Sequence, residues 1–346
     1  MSKTIIALDC MGGDNAPGEI VKGAVLAANE NKDMLIKLVG REDDIKKELE
    51  KYPSSDKLEI VDAKEVIETG EPPVAAIRKK KDSSLVKCMY MVKKGEADAM
   101  VSAGSTGANL VGGHVIIGRI KGVERPPLAP LIPTKTGFSL LIDCGANVDA
   151  RPSHLLQFAK MGSVYMENVV GIKNPKVALV NIGAEEEKGN ALVKETYPLL
   201  KEMEGINFIG NIEARDIPNG DADVIVCEAF VGNVILKMYE GVAGALMGMV
   251  KETMMSSLKT KIGALLIKNE LKQTLKDFDA SDYGGAPMLG LKGLVVKSHG
   301  SSNAKEFKQS ILQCIAFKQQ NISGRIAASI TADKELLSAS ENKTEE

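Results

Sequence analysis

Glycines, hydroxyls and carboxylates collect in short stretches that each follow an apolar run. The first, DCMGGDNAP at 9–17, combines Asp9 and Asp14 with the pair Gly12 and Gly13 and contains no basic residue. Glycine lets backbone amides approach an anion closely, and it equally permits a tight turn. The spacing favours neither role. Two carboxylates repel a bare phosphate, so we expect them to orient loops or to accept a proton.

Two further stretches add hydroxyl groups. SAGSTGAN, residues 102–109, places Ser105 and Thr106 just before Gly107 at the start of a helical pattern. Such a helix start can bind an oxyanion or phosphate, although a Ser or Thr at this position is more commonly an N-cap.

SHGSSN, residues 298–303, brings His299 close to Ser301 and Ser302. A histidine in this setting can donate a proton near neutral pH. A lone histidine is, however, more often a structural hydrogen-bonding residue. Both roles stay open.

Several enzyme classes lack their signature. The chain has no G-x-G-x-x-G and no G-x-S-x-G, and the nearest approach to a phosphate-binding P-loop, GAPMLGLK at 285–292, has Leu291 between glycine and lysine. Cys10, Cys144 and Cys227 follow apolar runs and could be nucleophiles, but small buried packing groups are the commoner role. The histidines lack paired spacing, so we expect no metal and no cofactor.

These stretches need strands and helices to position them. Short apolar, β-rich runs such as TIIALD, FSLLIDC and GLVVKS alternate with helical patterns. This alternation predicts an α/β fold with a mostly parallel sheet between helical layers. Ligands of such folds collect at the carboxyl ends of strands, where the polar stretches lie. We expect one catalytic domain over 1–332, with a long helical segment near 231–278, and a polar tail over 333–346.

Composition limits the partners and the compartment. The 44 Lys and Arg nearly balance the 46 Asp and Glu, so nothing indicates a general attraction to nucleic acid. Five scattered cysteines without paired spacing indicate a reducing cytoplasm. The start lacks a signal-peptide pattern, and no run reaches the ~18 apolar residues of a spanning helix. We therefore expect a cytoplasmic protein whose membrane contact, if any, is peripheral.

Two local features can meet an acidic partner or a lipid surface. A run of four cations at 78–81, Arg78, Lys79, Lys80 and Lys81, is either a docking patch or a solvated face. In the long helical segment, Leu258, Ile262 and Leu265 form an apolar stripe next to Lys259 and Lys261. That pattern suits a helix lying on a membrane, and it suits a subunit interface about equally.

Taken together, the motifs resemble those of the bacterial phosphate acyltransferases of phospholipid synthesis. They run in order from residue 4 to residue 325: ALDCMGGDNAP, SAGSTGA, RPPLAPLIPT, IDCGANVD, NIGAEEEKGN, FVGNVILK, YGGAPMLGLKG and SHGSSN. The resemblance implies transfer of a long-chain acyl group from acyl carrier protein to inorganic phosphate. It also implies a three-layer α/β/α fold of the isopropylmalate dehydrogenase and phosphotransacetylase type, and a homodimer. The resemblance further implies peripheral contact with the inner face of the anionic cell membrane. It also implies the downstream membrane acyltransferase as a partner.

The resemblance marks shared loops, from which we assign roles as hypotheses. Phosphate is itself a nucleophile, so direct attack on the thioester needs no enzyme nucleophile. We expect the phosphate and oxyanion region to be formed by Ser105, Thr106, Asn147 and Lys188. We expect His299 to give a proton to the departing thiolate. Asp9 and Asp143 are expected to hold these groups in place. The expected phosphate-binding set also includes Gly12, Gly13, Gly107, Ser301 and Ser302.

One motif departs from the family, because CEAF stands where the family usually reads Cys, Asp, Gly and Phe. Glu228 and Ala229 thus replace a shorter acid and a glycine. Two rival classes remain: a nucleotide- or nicotinamide-dependent α/β enzyme, which the missing fingerprints disfavour, and a non-catalytic scaffold that binds carrier protein or membrane.

Overall fold

The first sheet is built from strands in both the first and the last third of the chain. The computed structural model describes residues 3–277 and 284–331. The sheet order is β10-β11-β4-β1-β2-β3, and only β10 and β11 pair antiparallel. Its strands are β1 (Thr4–Asp9), β2 (Met34–Gly40), β3 (Leu58–Asp62), β4 (Ala99–Ser102), β10 (Ala286–Met288) and β11 (Leu294–Lys297).

The second sheet has five strands in the order β5-β6-β9-β7-β8, of which only β5 and β6 pair antiparallel. The predicted α/β class with mostly parallel strands is confirmed, and the strands are divided between two sheets. The strands are β5 (Leu131–Thr134), β6 (Gly137–Ile142), β7 (Lys176–Asn181), β8 (Asn207–Glu213) and β9 (Val224–Val226).

Helices connect most of the strands. The segment expected to be helical near 231–278 comprises three helices, α8 to α10, and the expected polar tail over 333–346 lies outside the described residues. Short π-helical turns at Gly113–Ile117 and Met166–Val170 extend α5 and α6, and residues 322–331 are also helical. The helices are α1 (Gly18–Glu30), α2 (Glu42–Leu49), α3 (Pro73–Lys79), α4 (Ser84–Lys93), α5 (Thr106–Gly112), α6 (Pro152–Tyr165), α7 (Ala191–Lys201), α8 (Ala229–Met255), α9 (Leu258–Leu266), α10 (Lys268–Asp277) and α11 (Ala304–Gln319).

The central strands β1, β4, β9 and β11 are buried on both faces, as their continuous apolar runs predict. Successive side chains of β1 point to opposite faces: Leu8 joins a core with Phe158 of α6 and Phe307 of α11, whereas Ala7 joins a core with Met89 of α4. The first of these cores contains residues of both sheets. Because β1, β4 and β11 are parallel, the loops that follow them meet at one edge of the first sheet.

Candidate active site

A cavity of about 760 Å³ lies where the ends of β4 and β11 approach the second sheet and α8. Cys144 and Gly145, which follow β6, form part of its wall, together with apolar side chains such as Leu128 and Leu236. Its size and mixed lining are those of a small-molecule site. Polar and charged side chains in the lining include Thr106, Lys237, Lys297, His299, Ser301 and Ser302.

The histidine of the cavity is oriented by its neighbouring serine. The Ser301 backbone N–H donates to His299 Nδ1 over 3.3 Å, and Ser301 Oγ lies 2.8 Å from the same nitrogen. With Nδ1 accepting, the neutral ring carries its hydrogen on Nε2. Ser302 is buried, and its N–H donates to the His299 carbonyl. The structure thus brings together four of the predicted residues, Thr106, His299, Ser301 and Ser302.

Asp9 ties the loop after β1 to the loop after β4. Its carboxylate accepts from Ser102 Oγ at 2.7 Å and from the Met11 N–H at 3.2 Å, and Ser102 Oγ in turn accepts from the Gly104 N–H. Burial raises the pKa of the Asp9 carboxyl. A Cβ on Gly12 would lie 2.6 Å from the Gly104 nitrogen, so the two loops pack backbone against backbone. Asp9 and Gly12 thus hold the two loops together, and the phosphate-binding role expected of Gly12 stays a prediction.

Asp143 performs a similar function for the loop after β6. Its buried carboxylate accepts from the backbone N–H groups of Leu128, Ala146 and Asn147 and from the Asn147 side-chain amide at 2.7 Å. Burial raises the pKa of Asp143 to about 6. The Asn147 amide also donates to the Pro126 carbonyl, which occupies it fully as a donor. Both residues hold the wall of the cavity.

Other members of the predicted phosphate-binding set lie in packing or capping positions. Ser105 Oγ accepts from the Ala108 N–H and caps α5. A Cβ on Gly107 would lie 2.6 Å from Pro73 Cγ, so Gly107 allows α3 to approach. Gly13, with a φ of +100°, lines a separate cavity of about 350 Å³. Thr106 alone of the SAGSTGAN candidates lines the larger cavity.

Lys188 does not line the large cavity. It lies between β7 and α7, where its ammonium pairs with Glu185 at 2.7 Å. Two lysines that were not proposed as site residues do line the cavity: Lys237 on α8, 2.8 Å from Glu240, and Lys297 at the end of β11. The sequence carried a signal for both, because each is the last residue of an apolar run, in GNVILK and in GLVVK.

The cysteines that follow strands are buried. Burial raises the pKa of the Cys10, Cys144 and Cys227 thiols well above the usual range, which keeps them protonated and weakly nucleophilic. Cys144 reaches the cavity wall, where its Sγ lies 3.5 Å from the Leu141 carbonyl. The arrangement favours packing over nucleophilic catalysis.

The unusual Glu228 and Ala229 begin α8. Glu228 is the N-cap, and its carboxylate accepts from the backbone N–H groups of Phe230 at 2.6 Å and Val231 at 2.9 Å. Ala229 is fully buried, does not have a positive φ, and donates its N–H to the Asn147 carbonyl. Neither substitution strains the backbone, and Glu228 does not line the cavity.

The two proposed contact surfaces lie elsewhere. In the basic run, Arg78, Lys79 and Lys81 are exposed; the Lys81 ammonium donates to the Ile77 carbonyl, and the half-buried Lys80 pairs with Glu71. On α9 every side chain of the proposed contact set, Leu258, Lys259, Lys261, Ile262 and Leu265, is exposed. Within the described residues, no helix combines the length and the apolar character needed to cross a membrane.

Comparison with known proteins identifies the family. Residues 4–325 match the family described as fatty acid synthesis protein. The chain is 54% identical over 319 residues to a phosphate acyltransferase of Clostridium botulinum, covering 92% of this chain and 96% of that protein. It is 52% identical over 324 residues to a phosphate acyltransferase of Clostridium acetobutylicum, covering 93% and 98% of the two chains.

Solved structures support the fold. A phosphotransacetylase from Streptococcus pyogenes is similar with a TM-score of 0.59 and 18% identity, covering 92% of this chain and 94% of that chain. A branched-chain phosphotransacylase from Enterococcus faecalis has a TM-score of 0.54 and 14% identity, covering 90% and 98%. The predicted resemblance of the fold to phosphotransacetylases is therefore confirmed. The chain belongs to the fatty acid synthesis protein family, and it is a phosphate acyltransferase.

Proposed function

We propose that the chain transfers a long-chain acyl group from acyl carrier protein to inorganic phosphate, and that the reaction takes place in the large cavity. The observation that carries this proposal is the lining itself, which places the His299 imidazole, the Thr106 and Ser301 hydroxyls and two lysines around one space beside apolar wall residues. The polar groups suit phosphate and a thioester carbonyl, and the apolar wall suits the first carbons of an acyl chain.

The proposed reaction balances without a cofactor. A phosphate oxygen attacks the thioester carbonyl carbon, a C–O bond forms, and the C–S bond breaks. The products are acyl phosphate and the carrier-protein thiolate, which takes up a proton. A His299 imidazolium, whose Nδ1 would donate to Ser301 Oγ instead of accepting, can supply that proton from Nε2, and hydroxyl or N–H donors can stabilise the carbonyl oxygen as its negative charge grows.

Direct attack is favoured over an acyl-enzyme. The three buried thiols have raised pKa values, and phosphate already carries the negative charge that a nucleophile needs. The task of the protein is then to hold phosphate and thioester in contact.

Carrier protein is proposed as the acyl donor, with exposed cations as its docking site. Such partners are acidic, and complementary charge increases their rate of association. Among the residues that the structure describes, Arg78 and Lys79 have no side-chain partner, whereas Lys80 pairs with Glu71 and Lys81 donates to the Ile77 carbonyl. We expect charge reversal at Arg78 and Lys79 to raise the KM for acyl carrier protein and leave the KM for phosphate unchanged.

The helical arm, residues 229–266, supports the proposed homodimer. In α8 only Ala229 and Gly232 are buried, although the helix is about 40 Å long. So much exposed apolar surface is typical of an interface. We propose that the arm packs against the same arm of a second copy. Its exposed apolar side chains include Val234, Met238, Val242, Leu246, Met249 and Val250.

The end of the arm is proposed to contact the membrane. Leu258 and Leu265 are 76% and 70% exposed, and Lys259 and Lys261 lie beside them. An exposed apolar stripe flanked by lysines suits an anionic lipid surface.

Two test variants and one control variant separate these proposals for the arm. Leu246→Glu should convert a dimer to a monomer in sedimentation analysis, whereas Lys251→Glu on the same helix should not. Leu258→Asp should reduce binding to phosphatidylglycerol vesicles without changing the oligomeric state. A monomeric wild-type protein would contradict the proposed homodimer. Unchanged vesicle binding by Leu258→Asp would contradict the proposed membrane contact.

The function is tested by mixing the protein with palmitoyl-acyl carrier protein and inorganic phosphate. Free thiol and hydroxylamine-trappable acyl phosphate should appear together and only when phosphate is present. Thiol release without acyl phosphate would indicate a thioesterase, and binding without either product would indicate a scaffold. Either result would overturn the proposal.

A further inference from the structure

Lys297 is a half-buried cation without a carboxylate partner among the residues that the structure describes. It ends β11, and its ammonium donates to the carbonyl of Ala103 at 3.2 Å and to the carbonyl of Ser298. Neither acceptor carries a full charge. A charge removed from water without a counter-charge is costly, so this lysine is a place where a bound anion would be stabilised.

The other lysine of the cavity differs in this respect. The Lys237 ammonium lies 2.8 Å from the Glu240 carboxylate and is about half exposed, so it already has a partner and water. Asp9 and Asp14 lie near enough to favour the charge of Lys297, but neither forms an ion pair with it among the described residues, and Asp9 accepts from Ser102 and Met11. The titratable or charged groups near Lys297 or in the same cavity are Asp9, Asp14, Cys144, Lys237, Glu240, His299 and Glu306.

We infer that the Lys297 ammonium binds the phosphate substrate directly and is the main cation that holds it for attack. This inference rests on the proposed function and assigns a residue within that site. A lysine has three N–H donors, of which two are used by the carbonyls of Ala103 and Ser298. The third is available to a phosphate oxygen, and the two carbonyls fix the ammonium in place. His299 and Ser301, two and four residues further on, line the same space.

The pH dependence follows from the charge. Burial lowers the pKa of Lys297 to about 8. Only the protonated amine attracts phosphate, so affinity is retained below this pKa and falls as the pH rises through it. An arginine at this position stays charged and should remove the decline.

The test compares Lys297→Met and Lys297→Arg with Lys292→Met, an exposed lysine outside the cavity. Loss of one charge-assisted hydrogen bond predicts a phosphate KM about 10- to 100-fold higher in Lys297→Met. The KM for acyl carrier protein should change much less. Lys297→Arg should keep the phosphate KM within a few-fold of wild type near neutral pH and hold it steady above pH 8. Dividing the pH profile of each variant's phosphate KM by the wild-type profile removes the effect that ionisation of phosphate itself has on KM.

Equilibrium dialysis with radiolabelled phosphate gives a readout that does not depend on turnover. Weaker phosphate binding by Lys297→Met than by Lys292→Met supports the inference even if the wild type makes no acyl phosphate, a result that would overturn only the proposed function. Equal binding by the two variants, or a Lys297→Arg profile that declines as wild type does, overturns the inference. If Lys297→Met fails to fold, the Lys297→Arg profile decides alone.

Discussion

Replacing Asp143 with Asn should make the stability of the protein less dependent on pH. The carboxylate of Asp143 is completely buried and accepts four hydrogen bonds that shape the cavity wall. An amide has nearly the same shape but does not titrate. It also offers one acceptor oxygen in place of two, so Asp143→Asn should be less stable than wild type at neutral pH.

The expected size of the pH effect follows from the pKa. Burial raises the pKa of Asp143 from its usual 3.8 to about 6 in the folded protein. The folded state therefore holds its proton over a range in which the unfolded chain has lost it. This contribution to stability is complete below the unfolded pKa and is lost as the pH rises through about 6. A shift of two pKa units corresponds to about 3 kcal/mol, of which about 2 kcal/mol falls between about pH 4.5 and pH 7.

Urea unfolding of wild type and Asp143→Asn across this range measures the effect. The stability of wild type minus that of the variant should fall by about 2 kcal/mol as the pH rises from about 4.5 to about 7. Asp149→Asn, an exposed aspartate of the same loop, is the control and should show no such trend. A constant difference for Asp143→Asn, or one that grows with pH, would refute the assignment of a raised pKa.

Two further substitutions, one with a control, test the contact between the loops after β1 and β4 and the cap of α8. Gly12→Ala places a Cβ 2.6 Å from the Gly104 nitrogen and should destabilise the protein by about 1–3 kcal/mol. Gly70→Ala, with nothing within 4 Å of its Cβ, should be nearly neutral, and equal effects in thermal unfolding would contradict this account. Glu228→Ala removes the cap of α8 and should cost about 0.5–2 kcal/mol in urea unfolding. Full stability in Glu228→Ala would mean that the cap contributes nothing.

The strand pattern could be predicted where strands are buried on both faces. Apolar runs coincide with nine of the eleven strands that the structure describes, and a continuous apolar run is typical of a parallel strand between two layers. The two strands that pattern analysis missed, β5 and β10, are short and contain Pro133 and Pro287. Proline weakens a strand assignment because it cannot donate to the ladder, and it is tolerated at an edge. Both strands are edge strands.

Pattern analysis located the loops of the site better than the residues within them. It named His299 and Ser301, which the structure places in one cavity, but it named Lys188, which does not line that cavity, and not Lys297, which does. A motif identifies the residues of one loop, but the distance between two loops depends on the sheet topology. β7, which precedes Lys188, lies in the second sheet, whereas β11, which ends at Lys297, lies in the first. The role of Lys188 stays a prediction, and an unchanged phosphate KM in Lys188→Ala would remove it from the site.

The central claim is that phosphate itself attacks the thioester, and isotope exchange tests it most directly. The enzyme is mixed with labelled free carrier protein and unlabelled palmitoyl-acyl carrier protein, and phosphate is left out. If phosphate attacks directly, no label should enter palmitoyl-acyl carrier protein in the absence of phosphate. Label should enter it only after phosphate and acyl phosphate are both added. Exchange without phosphate would require an acyl-enzyme and would contradict the account.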